Sequence, residues 1–129
     1  MTSLALLATA LLFGGMVLYS FGFAAFLFTA LPAEQAGRLL RRAFPHFYLF
    51  VLAVSALSAL LLAGIDVLGA GLMGLVALTV IPARQVLMPA INDATDTGQR
   101  ERFKVLHTLS VALTLGHIAA AAAVLLRFT

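Results

Sequence analysis

Residues 4–31, LALLATALLFGGMVLYSFGFAAFLFTAL, run for 28 positions without a charged side chain. A hydrocarbon core about 30 Å thick takes about 20 helical residues per crossing, so this stretch alone is long enough to span a bilayer with some tilt. A cleaved leader would begin with a basic region and carry a shorter apolar run, and the stretch has neither feature. It predicts a first transmembrane helix over about 4–31, stopped by Pro32.

Outward from that helix the same composition continues. Of the 129 residues 63% are hydrophobic and 10% charged, against roughly 45–50% and 25% in a soluble domain. A soluble globular fold is thereby excluded. Four crossings would use about 80–100 residues, which leaves short loops and no second domain in residues 1–129. After Pro32, Ala33 to Phe44 (AEQAGRLLRRAF) places Glu34 and Arg38 at i and i+4 and sets Leu39, Leu40 and Phe44 against Arg38, Arg41 and Arg42. This pattern predicts a short amphipathic helix lying in the interface. Pro45 disfavours α geometry at Phe44 and suits a first turn, so the second span is expected from about 45 to 63, with Gly64 as its stop.

Asp66 is placed to cap the third helix, expected over 67–89 with a kink at Pro82. The hydrophilic stretch INDATDTGQRER (Ile91 to Arg102) follows, and Asp96 with Gln99 three residues on reads as a capping box opening the fourth helix, over 99–127. The predicted fold is therefore all-α: an integral membrane four-helix bundle with a short amphipathic interfacial helix between helices 1 and 2. Arg38, Arg41, Arg42, Arg84, Arg100, Arg102 and Lys104 fall on one side of it and Arg127 alone on the other. The positive-inside rule then puts both termini on the non-cytoplasmic side of the cell inner (plasma) membrane, with the basic side available to anionic lipid.

Function is argued from the polar groups inside these spans. With no cysteine in the chain, disulfides, thiolate metal sites and Cys nucleophiles are excluded together. The spans hold no carboxylate pair, phosphate loop or nucleophile elbow, so hydrolytic chemistry is excluded as well. On the fourth helix His107, Ser110, Thr114 and His117 recur at spacings of 3, 4 and 3 and share one face. Lipid offers these groups no hydrogen bond, so the seam is expected to point into the bundle. His117 lies about 15 Å further along the axis than His107. His46, in the first turn of the second span, is expected at a depth similar to His107, and the two would meet if their helices were adjacent. For these histidines three readings stand: structural hydrogen bonding, ligation of a haem or metal ion, and proton handling. Gly15 and Gly22 on the first helix and Gly74 on the third are the expected points of close helix packing. Tyr48 reads as an interfacial anchor.

Two stretches, LLFGGMVLYSFGFAAFLFTALPAEQAGRLLRRAFPHFYLF (11–50) and PARQVLMPAINDATDTGQRERFKVLHTLSVALTLG (82–116), resemble the bacterial branch of the transmembrane protein 205 family. The residues that carry the likeness are Gly14-Gly15, the segment from Leu31 to Leu39, Phe44-Pro45, Pro89 and the run Phe103 to Ser110. The resemblance implies a four-helix membrane protein without an established reaction. More distantly, the plan is similar to bacterial haem-dependent protoporphyrinogen oxidases and copper-resistance membrane proteins, which implies His107 as the first candidate ligand. His46 and Arg84-Gln85 depart from the family pattern. The expected function is an integral membrane protein holding a small molecule, metal or haem along the His/Ser/Thr seam, a haem-dependent oxidoreductase among its forms. The alternative is a structural or assembly subunit with no ligand of its own. Expected partners are the lipid bilayer and either further copies of the chain or another membrane protein; no nucleic acid is expected.

Overall fold

The computed structural model describes residues 1–129, in four long helices and no strand. They are α1 (Thr2–Ala30), α2 (Ala33–Leu62), α3 (Val67–Asp96) and α4 (Arg100–Leu126), each long and apolar enough to cross a membrane. The turns between them take only residues 31–32, 63–66 and 97–99. In the last turn Gly98 adopts φ +67°, the left-handed conformation that ends a helix cleanly and that glycine tolerates best. Each helix packs on its neighbours in sequence, and α1 closes the ring against α4. This leaves α2 and α4 facing each other across the diagonal.

The core is built from Leu12 and Met16 of α1, Phe47 and Val51 of α2, Met73, Val76 and Val80 of α3, and Ala121 and Val124 of α4. Large apolar side chains also cover the outside, among them Leu7, Leu18, Phe26, Leu60, Leu78 and Val105. In a bilayer such a surface is matched to its solvent, so the helices are held by packing and buried polar contacts rather than by a hydrophobic drive. The chain is a multi-pass membrane protein.

Three expectations about local structure are corrected. The amphipathic stretch before Pro45 is no separate interfacial helix: α2 runs unbroken from Ala33 to Leu62 with Pro45 inside it. Proline is tolerated within a membrane helix when neighbours satisfy the disturbed backbone. The carbonyl that loses its donor is that of Arg41, four residues earlier; around the proline the Tyr19 hydroxyl of α1 donates to the Ala43 carbonyl at 2.9 Å and Arg84 Nε of α3 to the Pro45 carbonyl at 3.2 Å, so both neighbouring helices hold this turn in place. Secondly, the third helix does not stop at Pro89 but continues to Asp96. The backbone problem of Pro82 is absorbed by a π-helical turn directly after it, Ala83–Leu87, matched in α1 by a similar turn at Leu18–Phe23. Thirdly, the Asp96–Gln99 capping box does not form. Asp96 closes α3 and Gln99 precedes α4 without a side-chain cap, because Arg41 takes both Asp96 carboxylate oxygens, each at 2.7 Å.

Ion pairs fasten both ends of the bundle. At the end bearing most of the basic residues Arg41–Asp96 ties α2 to α3, and Arg102–Asp93 at 3.1 Å ties α4 to α3. At the other end Arg127 donates to the two oxygens of Asp66 at 2.5 and 2.8 Å, fixing the end of α4 to the turn before α3. Asp66 is the N-cap residue of α3; its carboxylate makes no side-chain capping bond, and both its oxygens accept from Arg127. Arg127 foremost, and the Gly69 N–H after it, hold the Asp66 carboxyl down to about 2. A carboxyl lowered in the folded state supports folding above its ordinary pKa of about 3.9 and loses that support as pH falls towards 2. Melting curves in detergent should therefore fall more steeply for the wild type than for Asp66→Asn between about pH 4 and pH 2.

Candidate functional site: a cavity at the basic end

At the Arg41–Asp96 end the four helices splay around an open cavity of about 610 Å³, within the range of small-molecule sites. Its walls come from every helix: Phe28 of α1, Gly37, Arg38 and Phe44 of α2, Met88 and Asn92 of α3, Phe103 and His107 of α4. Its floor is a polar contact across the diagonal, Tyr48 Oη to Ser110 Oγ at 3.2 Å. Tyr48 is held in place by a cluster of rings, with Phe47 at 5.5 Å and Phe44 at 6.0 Å between centroids, and Tyr19 stacks on Phe47 at 5.1 Å. It is buried, 5% exposed, and so is no interfacial anchor. At the mouth His107 stacks on Phe103, centroids 5.3 Å apart and planes 9° from parallel.

The seam read from α4 continues below this floor. Thr114 is buried, and one turn further His117 is buried with its Nε2 2.7 Å from the Thr79 hydroxyl of α3. Thr79 also donates back to the Leu75 carbonyl at 2.8 Å, which leaves its oxygen lone pairs to accept from an Nε2–H tautomer. The pair therefore satisfies both members inside the bundle. Thr79→Val should leave the His117 nitrogen without its partner and lower stability by about 1 kcal/mol, the scale of interhelical polar contacts in membranes. Thr79→Ser should keep most of it, as read by unfolding in mixed micelles.

His46 and His107 are not brought together. Tyr48 faces Ser110 across the diagonal, and His46, two residues earlier on the same helix, points to nearly the opposite side. Both are exposed, and of the two only His107 lines the cavity. No cluster of three or more His, Cys, Asp or Glu side chains forms. Among the glycines, a Cβ on Gly15 would lie 2.5 Å from Phe50 Cζ, so Gly15 makes room for the ring that α2 lays on α1. A Cβ on Gly22 would meet only Leu18 of its own helix, and one on Gly74 would meet nothing within 4 Å. A Cβ would thus meet a neighbouring helix at Gly15 and not at Gly22 or Gly74.

Sequence reasoning missed two members of the site, Tyr48 as cavity floor and Thr79 as the partner of His117. Depth could have found the second. Counting from the turn at one end, Thr79 is 13 residues past Asp66 and His117 is 10 before Arg127, so the two lie at nearly the same level at about 1.5 Å per residue.

Fold and cavity define a four-helix integral membrane protein with a polar seam under an interfacial pocket. The chain belongs to the family described as a domain of unknown function (DUF4149), which matches residues 7–100. No curated protein matches it, and no solved structure does. The likenesses to transmembrane protein 205, to haem-dependent oxidases and to copper-resistance proteins gain no support from these comparisons.

Proposed function

We propose that the protein holds a small amphiphilic organic molecule in the cavity at its basic end, and that this end faces the cytoplasm. The observation that carries the reading is the cavity itself: about 610 Å³, mostly apolar, with the polar face of α4 entering it through His107 and Ser110. An apolar body would contact Phe28, Phe44, Met88 and Phe103, while a polar head would meet His107, Asn92 and the Tyr48–Ser110 pair. Such a pocket, apolar with a few convergent polar groups, is the usual form of a small-molecule site. A haem or metal ion would find one imidazole there, His107, since His46 lies on the outside of α2. The donor set therefore favours an organic ligand. The cytoplasmic placement follows from seven basic residues at this end against Arg127 at the other.

Gly37 supplies the test. It lines the cavity and a Cβ on it would meet nothing within 4 Å, so Gly37→Phe starts from open space and is expected to occupy the cavity. Replacing glycine within a helix also favours the helical state by up to about 1 kcal/mol. Small molecules extracted from protein purified in mild detergent should include an amphiphile at near-stoichiometric level in the wild type and at least tenfold less in Gly37→Phe. Equal recovery from both would overturn the proposal.

A further inference from the structure

Arg84 is a charged residue inside a membrane-spanning helix, and no carboxylate answers it. Its Nε is anchored on the Pro45 carbonyl and its Nη1 on Gln85 Oε1 at 2.7 Å, and it takes part in no ion pair. The π-helical turn Ala83–Leu87 inserts an extra residue into α3 here, and Arg84 crosses to α2 from within it. Counting about 1.5 Å per residue from Val67, Arg84 sits about 26 Å along α3, a few ångströms inside the far boundary of a hydrocarbon core about 30 Å thick. A guanidinium at that depth reaches the headgroup level by extending its side chain.

The outward face of α2 carries two more basic groups without acidic partners. Arg42 and His46 are one helical turn apart, both exposed, and neither makes an ion pair or a side-chain hydrogen bond. On the same face, about one turn deeper in the membrane, follows Leu49, 43% exposed. The order along this surface is thus basic at headgroup depth and apolar below it. Arg38 and Arg41, the other arginines of this part of α2, are committed to Glu34 and Asp96.

We propose that the outer surface of α2 beside Arg84 binds one anionic phospholipid, its phosphate held by Arg84 and Arg42 and its acyl chains passing over Leu49. Arginine forks match phosphate oxygens in bidentate geometry. The anchor on the Pro45 carbonyl fixes one of them before the lipid arrives, so less side-chain freedom is lost on binding. The phosphate in turn supplies the counter-charge that the protein withholds from Arg84. This site lies on the lipid-facing surface and does not depend on the interior cavity.

Native mass spectrometry of the detergent-purified protein, incubated with dioleoyl phosphatidylglycerol or dioleoyl phosphatidylcholine, tests the site. Wild type should retain one phosphatidylglycerol at least tenfold better than phosphatidylcholine, and excess inorganic phosphate in the wash should not displace it. Arg42→Gln and Arg84→Gln should each reduce that retention at least fivefold. Arg100→Gln removes the same charge from an exposed position at the start of α4 and should leave retention unchanged. Equal retention of both lipids, displacement by inorganic phosphate, or an equal loss in Arg100→Gln would each overturn the proposal. Arg42 is exposed and holds no neighbour in place, so Arg42→Gln still decides the matter if Arg84→Gln fails to fold.

Discussion

Gly15→Ala should lower the stability of the bundle by about 1–3 kcal/mol, the usual cost of overpacking a tight contact. The added methyl would stand 2.5 and 2.6 Å from Phe50 Cζ and Cε1, far inside van der Waals contact. On an isolated helix the same change would be favourable by up to about 1 kcal/mol, so a net loss can come only from the α1–α2 contact. The Phe50 ring is half-buried and packs against the core, which limits how far it can swing away. Phe50→Leu removes the offending atoms, and the double variant Gly15→Ala/Phe50→Leu should be more stable than the sum of the single changes by 1 kcal/mol or more, where ~0.5–3 is typical of contacting pairs. Gly74→Ala is the control. Its Cβ meets open space, so it should be neutral or slightly stabilising. Unfolding in mixed micelles measures all four proteins, and a neutral Gly15→Ala would show that the helices are held elsewhere.

These glycines show where reading a sequence stops. Four apolar helices and the gathering of the basic residues at one end of them are written in runs of apolar residues and in the placement of Arg and Lys, which depend on local composition alone; the start of α2 and the end of α3, at Ala33 and Asp96 rather than near 45 and 89, are not. Part of the seam on α4 was legible for the same reason: lipid cannot satisfy His117 or Thr114, and both are buried, while Ser110 is half-buried and His107 exposed. What a side chain meets on another helix is a property of register, and no local pattern encodes it. Gly15 and Gly74 look alike in sequence, yet one faces Phe50 and the other faces nothing. Pro45 failed as a helix boundary for a related reason, since the turn around it is held from other helices, by a tyrosine 26 residues earlier and an arginine 39 residues later. The likeness in depth between His46 and His107 was real in sequence but carried no information on which helices are diagonal.

Phe47→Ala should have an effect of similar size and should also reach the cavity. In water, truncating a buried phenylalanine costs about 3–5 kcal/mol, the sum of a transfer term and a term for the void left behind. In a bilayer the transfer term largely falls away because lipid is as apolar as the core. The void remains, because the ring is 2% exposed and touches Tyr19, Phe44 and Tyr48 at centroid distances of 5.1, 5.4 and 5.5 Å. A loss of about 2 kcal/mol follows. The same rings hold Tyr48 against Ser110, so their loosening should also free the floor of the cavity. Phe47→Ala is therefore expected to lower recovery of the proposed amphiphile, even at temperatures where the variant remains folded. Tyr48→Phe separates the two effects: it removes the hydroxyl that meets Ser110 while keeping a ring in the cluster, so it should lower recovery with a smaller loss of stability. If Phe47→Ala is destabilised as expected but recovers as much ligand as the wild type, the aromatic cluster supports the fold without shaping the site, and the Tyr48–Ser110 floor is not where the ligand's polar head binds.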